Sequence, residues 1–99
     1  MGAKGALKEK TKAETREPSK YLVIMHNDDF TTMEFVVEIL IDIFHKNPSE
    51  AEALMLKVHR GGKAVVGAYP LDIAQTKVQA ALDRAKEAGF PFRVTIEKG

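Results

Sequence analysis

Five consecutive apolar residues, Tyr21 to Met25, constrain the fold of this 99-residue chain more than any other stretch. Successive side chains of a strand point to opposite faces, so Tyr21, Val23 and Met25 lie on one side and Leu22 and Ile24 on the other. A strand that is apolar on both faces belongs in the middle of a sheet rather than at its edge. The run ends abruptly in Asn27, Asp28 and Asp29. A helix is predicted to begin two residues later, because Thr31 and Glu34 have the spacing of a capping box, with Phe30 and Phe35 spaced as a hydrophobic staple. Residues 26–36 therefore read as a tight strand-to-helix turn that holds an amide and two carboxylates beside an apolar helix face. The helix dipole favours negative charge at that end. Such a mouth suits a small cationic group attached to something apolar, although a simple turn and cap accounts for the same residues.

The remaining chain supplies the partners of this strand. The first helix is expected from Met33 to about Lys46, with Met33, Val36, Val37, Leu40, Ile43 and Phe44 on one side and Phe35 and Ile39 widening the stripe. Asn47-Pro48 reads as a cap and a first helical proline, starting a second helix whose face is Ala51, Leu54, Met55 and Val58. Gly61-Gly62 stops it. A second strand covers Lys63 to Tyr69, with Gly67 marking a bulge or a close contact. Pro70 opens a third helix with a stripe of Ala74, Val78, Ala81, Leu82 and Ala85, ended by Gly89. The last strand, Phe92 to Glu97, alternates Phe92, Val94 and Ile96 inward with Arg93, Thr95 and Glu97 outward.

The order is β-α-α-β-α-β. One helix between strands two and three makes them run the same way, and two helices between strands one and two make strand one run against both. The expected architecture is α+β: two layers, a three-stranded antiparallel sheet with strand one in the middle and three helices on one face. Residues 20–99 form this core. Residues 1–19 contain a single large aliphatic residue, Leu7, among five basic and three acidic ones. They bury too little apolar surface to offset their ordering entropy and are expected to be a disordered extension.

A net charge of +1 gives no global attraction to nucleic acid or membrane, and the absence of cysteine rules out disulfides and thiolate metal sites. No apolar run is long enough to span a bilayer. A soluble intracellular domain is the expectation. His26, Asp28, Asp29, His45 and His59 include metal-ligating types, but no His-x-x-x-His or Glu-x-x-His pair sets two ligands on one element, so no metal or other cofactor is expected. An Asp28–His59 pair lacks a nucleophile, there being no cysteine and no Gly-x-Ser-x-Gly elbow, so no catalytic residue is assigned. Arg60 to Lys63 lacks the phosphate-loop pattern and reads as a helix terminator.

Four motifs in order, Asn-Asp-Asp-Phe-Thr-x-Met-Glu-Phe-Val (27–36), Leu-Met-Leu-x-Val-His (54–59), Ala-x-Thr-Lys-Val (74–78) and Thr-Ile-Glu-Lys (95–98), resemble the ClpS family over about residues 18 to 99. These are bacterial and plastid adaptors that hand N-degron substrates to a Clp AAA+ unfoldase and its peptidase. The resemblance implies a non-enzymatic, cytoplasmic, monomeric adaptor for substrates beginning with Leu, Phe, Tyr or Trp. It implies that Asn27, Asp28 and His59 hold the substrate's free α-amino group. Asp29, Thr31, Met33, Val36, Met55, Val58 and Phe92 would line the pocket for the first side chain. Asp72 and Lys77 match positions facing the unfoldase's N-terminal domain. Three positions depart from the usual pattern: Thr32 replaces a frequent proline, Gln75 a frequent glutamate, and Phe92 a smaller leucine, which would make the pocket floor shallower. The alternatives are a ribosomal-stalk-like interaction domain, whose fold the family shares, and a small metal-dependent hydrolase.

Overall fold

The computed structural model describes residues 19–99; the disorder expected of the N-terminal extension concerns residues outside that range, apart from Ser19. The element order is β1 (Lys20–His26), α1 (Met33–Asp42), α2 (Pro48–Gly61), β2 (Lys63–Pro70), α3 (Leu71–Ala88) and β3 (Arg93–Lys98). The sheet runs β2-β1-β3 with both pairings antiparallel, so the strand that is apolar on both faces is the central one. Val23 and Met25 are fully buried and join Ala64, Val66 and Val94 in the core with the helices. Ile24, on the opposite face, is 5% exposed and lies outside that cluster.

The two β1 pairings differ. Against β3 the register is continuous, whereas against β2 it shifts between Val23 and Ile24, whose partners are Gly67 and Val65. Val66 is the extra residue of this bulge and turns into the core. At the next position a Cβ on Gly67 would lie 2.8 Å from the Tyr69 hydroxyl oxygen, so a larger residue there would push the Tyr69 ring aside. The bulge expected from Gly67 is therefore present, and close approach of a side chain accompanies it.

Helix ends follow local chemistry with two departures. Asn47 and Glu50 form a reciprocal capping box at the start of α2, and Gly62 and Gly89 end α2 and α3 in the left-handed conformation. The first departure is at α1, where Thr32 rather than Thr31 is the cap, its hydroxyl accepting from the Phe35 N–H at 3.1 Å. Asp28 holds both the N–H and the hydroxyl of Thr31, which places Thr31 within the turn, and the helix starts one position later. Phe35 rather than Glu34 then occupies the third helical position, and the expected capping box does not form. The staple fails with it: Phe30 is 75% exposed, while Phe35 packs against Phe90 and Phe92 at ring distances of 5.0 and 5.8 Å.

The second departure is the end of α1, expected near Lys46 and observed at Asp42. His45 adopts φ 57°, and the Lys46 N–H reaches back to the Leu40 carbonyl at 3.0 Å, a Schellman-type closure built without glycine. Two cations of α3 hold this end of α1. The Lys77 ammonium donates to the Ile43 carbonyl at 2.8 Å and lies over the Phe44 and Tyr69 rings. Arg84 bonds Asp42 at 2.9 Å. Among the described residues no helix is long and apolar enough to cross a membrane.

Candidate functional site

The turn after β1 is built around one carboxylate. Asp28 Oδ1 accepts the N–H groups of Phe30 (2.8 Å) and Thr31 (2.7 Å), and Oδ2 accepts the Thr31 hydroxyl (2.7 Å). Burial pushes the Asp28 carboxyl up, but the bonds from the Thr31 hydroxyl and the two N–H groups outweigh it and hold the group below its ordinary 3.8. Asp28 is thus an anion at neutral pH. A carboxylate offers about four acceptor directions, and three are used here, which leaves one on Oδ2 for an incoming donor. The turn is pinned to α2 as well, because the Asn27 N–H donates to the Gly62 carbonyl at 2.8 Å.

This bond brings the last turn of α2 beside the turn. Met55, Val58 and His59, spaced three and four apart, present one helix face toward it. Met33 and Val36 do the same from the first turn of α1. Between them lies a cleft of about 370 Å³ bordered by Asn27, Asp28, Asp29 and Thr31. That volume is within the range of small-ligand pockets. Val36 and Val58 are buried, and Met33, 43% exposed, stands at the entrance. Acceptors converge at the rim over apolar walls, the arrangement that suits a cationic head on an apolar side chain. A flatter groove of about 650 Å³ along the outside of α2 is bordered by Leu54, Leu56, Lys57 and Arg60 and offers a cation no acceptor side chain.

Of the residues singled out in the sequence, Asn27, Asp28, Asp29, Thr31, Met33, Val36, Met55, Val58 and His59 all border this cleft. Phe92 does not. Its ring is 6% exposed and stands edge-on to Phe35 in the core, so it supports the α1 wall from behind rather than forming a pocket floor. Phe30 and Thr32 border the cleft although neither was expected to. Their places inside the Asp28-centred turn were the available signal. Asp72 and Lys77 lie on α3, Asp72 exposed and accepting the Ile73 N–H, Lys77 half-buried with its ammonium directed into the protein. Among the described residues no three His, Asp or Glu side chains converge to hold a metal. The three histidines sit apart: His59 at the cleft, His45 after α1, and His26 on the sheet, bonded to Thr95 at 2.7 Å.

The family model of the ATP-dependent Clp protease adaptor protein ClpS matches residues 16–95. The chain belongs to the ClpS family. Adapter proteins of that name are similar along most of its length. That of Wolinella succinogenes is 51% identical over 82 residues, covering 83% of this chain and 80% of the relative. That of Acetivibrio thermocellus is 46% identical over 97 residues, covering 98% of both. Among solved structures, Agrobacterium tumefaciens ClpS2 bound to L-phenylalaninamide superposes with a TM-score of 0.81 at 41% identity, covering 84% of this chain and all of that one. This ClpS-family member is thus an adaptor of the Clp protease, and the naming of its relatives as adapters accords with a role other than catalysis.

Proposed function

We propose that this ClpS-family adaptor binds the first residue of its substrates, through a free α-amino group and a bulky Leu, Phe, Tyr or Trp side chain, and delivers them to a Clp AAA+ unfoldase. The observation that carries this reading is the convergence of Asn27, Asp28 and His59 over a cleft walled by Met33, Val36, Met55 and Val58. An α-ammonium is a compact donor of three hydrogen bonds, best met by charge-assisted acceptors in a partly desolvated mouth. Burying a Leu or Phe side chain beside it adds about 1.5–3 kcal/mol, so the walls rather than the charge distinguish one first residue from another. L-phenylalaninamide, the ligand of the Agrobacterium neighbour, combines a free α-amino group with a benzyl side chain and supports this reading. The adaptor acts as a monomer in the bacterial cytoplasm, needs no cofactor, and engages neither nucleic acid nor membrane.

Docking to the unfoldase's N-terminal domain falls to the exposed face of α3 around Asp72. Lys77 serves that face by fixing α3 to the end of α1, since its ammonium is directed inward. The deciding experiment titrates a labelled peptide with N-terminal Leu against the same peptide N-acetylated. Tight binding of the free peptide and loss of binding on acetylation is the expected result; equal affinities would overturn the reading.

A further inference from the structure

We infer that Met33 is an oxidation site: a peroxide converts its thioether to the sulfoxide, and the oxidised adaptor binds apolar first residues more weakly until the sulfoxide is reduced. The inference rests on the amino-group reading above and adds a modification site to the same cleft. Cysteine thiolates are the side chains that peroxides ordinarily oxidise first, and this chain has no cysteine, so that chemistry falls to methionine. The sequence holds four methionines, of which Met1 lies outside the described residues.

The other three are placed differently. Met25 is fully buried in the central strand. Met55 is half-buried and packs against the core from α2. Met33 is 43% exposed, belongs neither to the core cluster nor to the residues packed against it, and still borders the cleft. The start of α1 is held by the Thr32 cap on the Phe35 N–H rather than by the Met33 side chain. A peroxide in the solvent therefore reaches this sulfur before the other two, and the side chain it alters lies in the cleft but outside the core.

The sulfur lone pair attacks one oxygen of hydrogen peroxide: an S–O bond forms, the O–O bond breaks, and the departing oxygen leaves as water after proton transfer. Sulfur gives up two electrons and the peroxide takes them, so thioether plus hydrogen peroxide becomes sulfoxide plus water. The flexible apolar side chain is thereby turned into a polar, chiral one. A Leu or Phe side chain entering the cleft must cover the sulfoxide oxygen and has no donor to offer it. Burying an unpaired polar group in this way should weaken binding by at least about fivefold, the low end of the range applying because Met33 stands at the entrance. For Phe, the favourable contact between the thioether sulfur and the ring is lost as well.

The test exposes the full chain to hydrogen peroxide, locates the added oxygen by mass spectrometry of its peptides, and titrates a labelled Leu-peptide before and after. Met33 should take up oxygen ahead of Met25 and Met55, and affinity should fall at least about fivefold while thermal unfolding stays unchanged. Methionine sulfoxide reductases for both epimers, with a thiol reductant, should restore the affinity. M33L carries a side chain of similar volume that peroxide does not oxidise, so its affinity, whatever its starting value, should be the same before and after treatment. Unchanged affinity with Met33 oxidised, an equal loss in treated M33L, or oxidation of Met55 ahead of Met33 would overturn the oxidation site alone. Failure of the Leu-peptide to bind untreated, folded wild type would overturn the amino-group reading and the site with it.

Discussion

Asp28 has two duties that can be separated by substitution. Its carboxylate closes the turn through three hydrogen bonds of 2.7–2.8 Å, and one remaining acceptor direction is available to a substrate ammonium. Asn at this position keeps an oxygen for the two N–H donors and presents an amide N–H₂ to the Thr31 hydroxyl, which can accept as well as donate. It removes only the charge. Ala removes the whole bridge, a loss comparable to deleting a helix cap, about 1–2 kcal/mol for a partly exposed turn. For a core of this size that lowers the melting temperature by roughly 4–16 °C. Binding should suffer in both variants, because an ammonium left without its anion loses about 2–5 kcal/mol, at least a thirtyfold weakening. The expected pattern is D28N with near-normal melting and weak binding, and D28A with both reduced. Thermal unfolding and Leu-peptide titration, run side by side, read the two effects. If D28N binds as wild type while D28A binds weakly, Asp28 serves only to build the turn and the electrostatic reasoning is wrong.

Met33 stands at the cleft entrance, where a stiff β-branched first side chain would press its extra methyl on the wall at a cost of about 1–3 kcal/mol. M33A should narrow the Leu-to-Ile affinity ratio while weakening Leu binding; the same ratio in both proteins would show Met33 to be packing only. Replacing Lys77 by Met keeps the stem but removes the ammonium from the Ile43 carbonyl and two rings, which should destabilise the core by about 1–2 kcal/mol in chemical denaturation. An unchanged midpoint would return Lys77 to a purely docking role. His26 is held below its ordinary 6.5 by burial and by Arg93 and Lys63, against a smaller opposing pull from Glu97. The unfolded chain then binds more protons below pH 6.5, so His26 costs stability as pH falls from there through its lowered value. Melting temperature should drop more in wild type than in H26Q between pH 7 and about 5; parallel curves would show that His26 is not perturbed.

The local chemistry of the sequence determined much of this fold. Tyr21 to Met25 read as a central strand and are one: Val23 and Met25 face the helices, while Ile24 on the other face is flanked by residues of both neighbouring strands and is 5% exposed. Asn47, Pro48 and Glu50 specify the start of α2, and Gly62 and Gly89 the ends of α2 and α3, through interactions within one helical turn. The motif residues around Asn27, Met55 and His59 marked the cleft through the resemblance to the ClpS family, while spacing along one helix face indicated only that Met55, Val58 and His59 share a side.

What depended on contacts distant in sequence was decided only by the tertiary structure. One departure was local instead: the cap of α1 is Thr32 rather than Thr31 because Asp28, three residues earlier, holds the Thr31 N–H and hydroxyl within its own turn, which spacing alone does not reveal. Phe92 went to the core rather than the cleft because Phe35 of α1 stands edge-on to it, a contact made across 57 residues of sequence. Lys77 turned inward because an open carbonyl 34 residues away in sequence lay within its reach. Strand register is likewise tertiary: His26 is paired with Lys63 of β2 and Arg93 of β3, and a one-residue slip in either pairing would have turned a whole strand's side chains to the other face.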